Sequence, residues 1–528
     1  MQATRNNLWL SLGGALLLWA SWPTSPLTLL IFVGWLPMLF VAENETSWKR
    51  FFGYTYIHMV GWNVLVTWWV AKASAIGGVS AFFANSLIMC IPWLLYYFTR
   101  KHIKGFVGST SIIFYWVAFE YLHHNWDLSW PWLSLGNVFA THPNWVQWYE
   151  YTGAAGGTVW ILASNVLVFH LLYLYRSEGR TLRYFISAIA WIALLFVPIL
   201  LSSLIKNDLT LLHNKYNVVV VQPNIDPYGE KFNAGTQEAQ LQKLITLSEK
   251  QIDAQTALVV WPETAVPFPT NEKTIKDNFA LRPLWQFLAD HSQINLLTGL
   301  EGYQQFTDRV SRYAKPFQDG SGFYEMYNTA LMLDSSHVQL YHKSKLVPGV
   351  EVLPGFLNFM APVFEKFGGT GGGYARDTTA HLFTTSNKSY QVTPAICYES
   401  IYGDYLADFN RKGSNLVCVI TNDGWWGNTQ GHKQHMNYAR LRAIESRKWV
   451  ARSANTGISC FIDPFGNIIQ QLPWDVDGAL KQTIPAYTDI TFFTKHGDWI
   501  SKLLALLAAA LLLLAIVKKF LNKRAPSV

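Results

Sequence analysis

Eight long apolar runs constrain this chain more than any other feature. Seven come first, at about 8–22, 25–42, 51–70, 75–98, 105–119, 153–175 and 185–205, and the eighth lies at about 499–517. A helix needs ~20 apolar residues to cross ~30 Å of hydrocarbon, and most of the runs reach or approach that length. The first is short enough to pass for a signal peptide. No small-residue cleavage site follows it and the next run begins at once, so it reads as a retained helix. Only 14% of the residues are charged, against ~25% in soluble domains, and they are sparse before about residue 206 and ordinary from there to about 498. The expected organisation is a seven-helix transmembrane domain over 1–206, a soluble insert over 207–495, and an eighth helix with a basic tail over 496–528.

Lysine and arginine alternate between the connections. Arg5, Lys49 and Arg50, Arg100, Lys101 and Lys104, Arg176, Arg180 and Arg183, and Lys518, Lys519, Lys523 and Arg524 all fall on one side of an eight-span bundle. The opposite connections are nearly bare, with Lys72 as the exception. By the positive-inside rule both termini are cytoplasmic and the insert lies outside the cytoplasm. The net charge of +7 therefore sets topology, and no basic stripe of the kind that tracks a phosphate backbone is present, so nucleic acid is not an expected partner.

The connection between runs five and six, FEYLHHNWDLSWPWLSLGN, is rich in tryptophan and holds a proline. It reads either as an aromatic belt at headgroup level or as a wall of a lipid-access site, with Glu120 and His123 as its polar features.

The insert alternates two patterns. Short apolar runs bounded by turn residues, at 217–225, 257–263, 294–300, 329–334, 390–396 and 415–421, read as buried strands. Segments near 236–254, 272–290 and 433–449 have helical character, so the insert is expected to be one layered α/β domain with helices covering sheets. The last of these segments, NYARLRAIESRKWVARSANTG, reads as a helix with a solvated charged face (Arg442, Glu445, Arg447) and a turn shaped by Asn455 and Gly457. FGGTGGGYAR, 367–376, lacks a following GK[ST] and reads as a mobile surface loop able to act as a lid. Cys418 and Cys460 sit inside strand-like runs as small buried hydrophobes, though spacing leaves a bridge between them open.

Three polar residues stand just past strand-like runs: Glu263 in ALVVWPETAVP, Lys343 in VQLYHKSKLVP and Cys397 in QVTPAICYES. A lone cysteine is more often a buried hydrophobe than a nucleophile. A thiol that can meet a base and a positive charge is different: Glu263 supplies the first, and Lys343 supplies the second together with a donor for the oxyanion of an attacked carbonyl. Glu351, eight residues past Lys343, is either a loop carboxylate or the group that holds the lysine. His432 and His435 form an HxxH without the HExxH context and without a neighbouring cysteine or carboxylate at ligand spacing, so neither metal nor cofactor is expected.

At these residues the chain resembles the nitrilase superfamily, and within it the membrane-integral bacterial apolipoprotein N-acyltransferases. The motifs run in order: PWLSLGN, VVQPNI, WPET, YHKSKLVP with Glu351, ICYES, TNDGWWG and RAIESR…NTG. The resemblance implies an αββα sandwich inserted into an eight-helix transmembrane bundle, a triad of Glu263, Lys343 and Cys397, and supporting roles for Glu351, Tyr398, Glu399 and Trp425. Two positions depart from the pattern: LVPGVE stands where the family commonly reads LVPFGE, and Tyr228 and Phe232 stand where relatives can carry a tryptophan.

The activity implied is ping-pong transfer of an sn-1 acyl chain from a bilayer phospholipid, phosphatidylethanolamine by expectation, through a thioester on Cys397 to the α-amine of a diacylglyceryl apolipoprotein. The implied location is the bacterial inner membrane with a periplasmic catalytic domain. Two rivals make different demands. A membrane-tethered nitrilase-type amidase would use the same triad with water as acceptor, but one anchor would serve it. A transporter or receptor would leave Cys397 unreactive and carry more ionisable residues in its spans than the few present, such as His58 and His170.

Overall fold

Valine- and leucine-rich runs closed by turn residues can bury both faces only when layers cover them, and the insert meets that demand with two sheets. In the computed structural model, which describes residues 2–205, 209–211, 215–362 and 373–524, the chain divides into two compact units. The first comprises Met1–Trp68, Gly78–Lys206 and Asp498–Val528, and the second Trp69–Gly77 and Asn207–Gly497.

The second unit holds β1 (Tyr216–Gln222), β2 (Thr256–Val260), β3 (Val266–Asn271), β4 (Asn295–Phe306), β5 (Lys315–Pro316), β6 (Phe323–Leu333), β7 (Val338–His342), β8 (Phe383–Thr384), β9 (Gln391–Ile396), β10 (Leu416–Thr421), β11 (Trp449–Ala454), β12 (Cys460–Ile462), β13 (Ile468–Gln471) and β14 (Gly478–Ile484). One sheet runs β14-β1-β2-β4-β6-β5, with β3 on β4 and β7 on β6, and the other runs β13-β12-β11-β10-β9-β8. The centres are parallel: β1 with β2, β2 with β4, β9 with β10, and β10 with β11. Alternate residues of each sheet face the other. Val218, Val220, Leu258, Val260 and Leu297 meet Val392, Ile396, Leu416, Cys418 and Ile420 in one buried cluster. The other face of the first sheet packs on helices Gln237–Glu249 and Arg282–Asp290, and the other face of the second on Gly403–Arg411 and Gln430–Ser446. At roughly 1.5–3 kcal/mol per buried Val or Leu side chain, these three apolar layers hold the domain together. Cys418 and Cys460 are buried free thiols.

The six strands expected from sequence lie on β1, β2, β4, β6, β9 and β10. The helix expected over 433–449 is present as Gln430–Ser446, but its charged face is not solvated. Arg442, Glu445 and Arg447 are all buried, and Arg442 pairs with Glu445 at 2.6 Å and donates to the Ile401 carbonyl. The helix covers a sheet on one side and is covered on the other, so its charges pair internally. Of the glycine-rich stretch, residues 367–372 lie outside those described, and so does the junction at 206–208.

In the first unit, helices Gln2–Ser21, Trp48–Thr67, Ala75–His102, Gly105–His124, Tyr149–Glu178, Leu182–Leu204 and Trp499–Arg524 carry seven of the eight apolar runs. The run at 25–42 is broken into a 3₁₀ turn, Thr28–Phe32, and a nine-residue helix, Leu36–Asn44, with Pro37 at its start. Four helices among the described residues are long and apolar enough to cross a membrane: Ala75–His102, Tyr149–Glu178, Leu182–Leu204 and Trp499–Asn522. The core of this unit is aromatic. Trp35 stacks on Trp93 at 5.0 Å and meets Trp116 edge-on at 4.3 Å. The tryptophan-rich connection is not simply a belt: Trp132, Leu133 and the stretch Leu135–Ala140 are buried. Glu120 explains this, because it accepts from Trp116 Nε1 at 2.9 Å, Leu135 N at 2.8 Å and Thr158 Oγ1 at 2.8 Å, pinning the connection to two helices.

Candidate active site

β9 ends at Ile396, and the next residue, Cys397, turns the chain with φ +50°. A non-glycine residue held there stores roughly 1–3 kcal/mol and persists only where its surroundings fix it. The Cys397 carbonyl supplies that fixing: it accepts from Ser400 Oγ at 2.7 Å and lies 3.2 Å from His435 Nε2. His435 Nδ1 is 2.9 Å from Asp423 Oδ1, and Arg452 Nη2 donates to Asp423 Oδ2 at 2.6 Å, all within the interior. Burial alone would push the Asp423 carboxyl up, but Arg452 and His435 outweigh it and hold the group well below the usual carboxylate range. The HxxH pair thus has a structural use: His435 braces the turn, while His432 packs against Trp474 at 4.3 Å. Among the described residues no group of three His, Cys, Asp or Glu is placed to hold a metal.

Two other strand ends meet this turn. Glu263 follows β2, and Lys343 follows β7 directly. Lys343 Nζ donates to Glu263 Oε1 at 3.2 Å and to Glu351 Oε1 at 2.8 Å, and is 1% exposed. Asn328 Nδ2 bridges the same two oxygens at 2.8 and 2.9 Å, and Glu263 Oε2 accepts from Asn422 N at 3.2 Å, at the end of β10. Glu351 Oε2 accepts from Val347 N at 2.8 Å, so this carboxylate is the holder of the lysine and not a free loop group. Burial would lower the Lys343 ammonium, but the carboxylates of Glu263 and Glu351 outweigh it and hold the group far above the ordinary lysine range, so it stays charged. Burial and then Glu263 push the Cys397 thiol up, with Lys343 opposing them. The thiol therefore rests protonated and needs a base at the moment of attack. Glu263 thus bears on both the Lys343 ammonium and the Cys397 thiol, and Lys343 bears on the thiol, which places the three groups expected from sequence in one electrostatic cluster.

Glu399 is completely buried, and its two oxygens brace the loops around that chemistry. Its Oε1 accepts from Tyr341 Oη at 2.5 Å, Ser344 N at 2.7 Å and Lys345 N at 3.2 Å, and its Oε2 accepts from Ile396 N at 2.9 Å. It ties the loop that carries Lys343 to the turn that carries Cys397. Burial raises its carboxyl to about 7 despite these donors. Tyr398 is buried with its ring edge-on to Tyr402 at 5.4 Å. Trp425, on the turn Asp423–Trp426, is partly exposed between Tyr228 at 5.3 Å and Phe232 at 6.2 Å. Asn455 donates from Nδ2 to Ile225 O at 2.8 Å and to Asn422 Oδ1 at 3.2 Å, which locks the turn after β10 to the loop after β1.

Two contributors escaped the sequence reading. Asn328 sits in the apolar strand YNTALML, where a lone amide was the available signal. Lys231 is 2% exposed and donates from Nζ to the main-chain oxygen of Glu263 at 3.1 Å. Its sequence context, a polar loop, gave no hint of burial.

The second unit has a known class. The carbon-nitrogen hydrolase family matches residues 217–489, and that domain, with its mixed sheets, is nitrilase-like. The apolipoprotein N-acyltransferase N-terminal domain matches residues 14–167. An apolipoprotein N-acyltransferase of Chlorobaculum tepidum is 30% identical over 94% of this chain and 94% of its own length. One of Rhodopseudomonas palustris is 27% identical over 92% of this chain and 87% of its own. Apolipoprotein N-acyltransferase 1 of Treponema denticola is 26% identical over 82% of each. The chain belongs to the apolipoprotein N-acyltransferase family.

Proposed function

We infer that the protein is a membrane N-acyltransferase that moves a fatty acyl chain from a membrane phospholipid to the N-terminal α-amine of a lipoprotein. The observation that carries this is the convergence of Glu263, Lys343 and Cys397 at strand ends, in a chain whose family profiles cover both the catalytic and the membrane parts. In the first half, Glu263 takes the Cys397 proton as the sulfur attacks the ester carbonyl. A C–S bond forms, the C–O bond breaks, and Glu263 returns the proton to the leaving lysophospholipid oxygen. Lys343 stabilises the oxyanion. In the second half the amine attacks the thioester: N–C forms, C–S breaks, and the amine proton passes by way of Glu263 to the sulfur.

The finer reading is that the eight apolar runs are eight spans, both termini are cytoplasmic, and the 207–495 insert is the periplasmic catalytic domain. Phosphatidylethanolamine is the expected donor, through its sn-1 chain. The lysine and arginine asymmetry supports the orientation. An amidase reading is not favoured, because the membrane half matches a family named for acyl transfer.

Mass spectrometry of the purified enzyme incubated with phosphatidylethanolamine alone tests the proposal. One acyl chain is expected on Cys397 and none on Cys397→Ala. Steady release of free fatty acid with no trapped adduct would sink it.

Lys231 gives the reaction a pH signature. Burial lowers its ammonium to about 8, against the pull of Glu263. Below that value it adds positive charge behind the base; above it the charge is lost. Acylation of Cys397 is expected to decline as pH rises through about 8, and Lys231→Arg should move that limb upward. The unfolded lysine keeps its proton to about 10.5, so this group's contribution to stability rises between 8 and 10.5 as activity falls. Lys231→Met should cost on the order of tenfold in acylation rate, about the weight of one pKa unit. An unchanged pH profile in Lys231→Arg would rule the lysine out.

A further inference from the structure

Lys72 is the one basic residue in the connections that the alternation leaves otherwise bare. Its segment, Trp69–Gly77, groups with the catalytic unit although it lies in sequence between two apolar helices. Trp69 is the reason. It is fully buried, its ring lies 4.7 Å from that of Trp426, and a Cβ on Gly431 would stand 2.6 Å from it. Three residues on, Lys72 is exposed, with Nζ 3.3 Å from where a Cβ on Gly427 would be. Gly427 has φ +61°, a conformation that favours glycine, so the ammonium rests against bare backbone.

The surroundings are an aromatic shelf. Tyr228 Oη lies 2.8 Å from Trp425 O and 3.3 Å from Lys72 O, and Trp425 stands between the rings of Tyr228 and Phe232. Tyr228 and Phe232 are 62% and 61% exposed. The same run of chain begins at Asn422, whose N–H binds Glu263. Among the described residues, Lys72 Nζ makes no ion pair or hydrogen bond. A lysine with no internal partner, fixed by a buried tryptophan beside exposed rings at the rim of a lipid-using site, is placed to take an anion from its substrate.

We propose that Lys72 is the phosphate subsite of the acyl donor: its ammonium takes the phosphodiester of a phospholipid whose glyceryl and acyl portion lies on Tyr228, Phe232 and Trp425. The proposal rests on the acyl-enzyme reading above. It concerns the first half-reaction, because the diacylglyceryl acceptor carries no phosphate on its lipid.

The test measures Cys397 acylation in the full-length enzyme by mass spectrometry, with phosphatidylethanolamine and, separately, an uncharged p-nitrophenyl ester of the same fatty acid. In Lys72→Gln the ratio of phospholipid rate to ester rate is expected to fall about fivefold, the weight of one lysine near an anionic lipid surface. Lys72→Arg should restore it. Equal slowing with both donors would show that the residue only packs the segment and would overturn the proposal, as would an unchanged ratio. Inorganic phosphate should not compete in the wild type. Competition that disappears in Lys72→Gln would assign the site to free phosphate instead and overturn the lipid assignment. Absence of any adduct in the wild type defeats the acyl-enzyme reading, and this one with it.

Discussion

Lys343→Met is expected to abolish acylation of Cys397, by on the order of 10³-fold or more, and to destabilise the catalytic unit by about 3–5 kcal/mol. Lys343 is buried between Glu263 and Glu351, whose nearer oxygens share one further donor, Asn328. Methionine fills the stem's volume and removes the charge, leaving two carboxylates facing each other with a single amide between them. Breaking a buried pair by deleting one partner costs far more than the pair itself contributes, because the remaining charge has no solvent to return to. The sign with pH follows. Two close carboxylates without their cation raise each other's proton affinity, so the defect should be largest at neutral and alkaline pH and shrink as pH falls and one of them protonates. Thermal unfolding of wild type and variant across pH 4 to 9 would read this, alongside adduct formation. Wild-type stability at pH 8 in Lys343→Met would contradict the buried-pair geometry. Acylation within tenfold of wild type would remove the lysine from the chemistry.

What could be read in the chain beforehand has a physical boundary. Glu263, Lys343 and Cys397 were legible because each follows an apolar run too short for a helix, and polar groups at the ends of buried strands cluster in α/β sheets. Their convergence needed the pairing of β2 with β4 and of β9 with β10, which no local pattern encodes. Glu399 was readable as a neighbour of the thiol, but not as a brace reaching the Lys343 loop, 55 residues away along the chain. The misread helix is instructive in another way. Arg442, Glu445 and Arg447 have the spacing of a solvated face, and only the second layer of packing turns them inward. Periodicity reports which side of a helix meets the first sheet and is silent about what covers the other side. The break within the run at 25–42 was not legible for a simpler reason: apolar content does not report where the backbone breaks, here ahead of Pro37.

Glu263→Gln should separate the two demands made on that carboxylate. Among the described residues its side-chain oxygens meet donors: Lys343 Nζ and Asn328 Nδ2 on Oε1, and Asn422 N on Oε2. A glutamine must turn its NH₂ toward one of these sets, setting donor against donor, so even an isosteric change disturbs the site. The larger loss is chemical. Burial keeps the Cys397 thiol protonated, and the variant removes the base that takes its proton as the sulfur attacks. The loss of general-base catalysis alone is worth roughly 10²–10⁴ in rate, and the misplaced amide adds to it, so acylation by phosphatidylethanolamine is expected to fall by about 10³–10⁵. Removing the negative charge also withdraws one of the three influences that push the thiol up, with burial and Asp423 remaining, and leaves Lys343 to favour the thiolate. Below the Lys231 limb at about 8, the residual acylation should therefore climb with pH where the wild type is flat, as simple ionisation of the thiol replaces proton transfer to the side chain. Glu351→Gln, which touches Lys343 but not the sulfur's proton, should lose less and keep the plateau. If Glu263→Gln retained a wild-type pH plateau, the base would have to be another residue, and Glu263 would be no more than an anchor for Lys343.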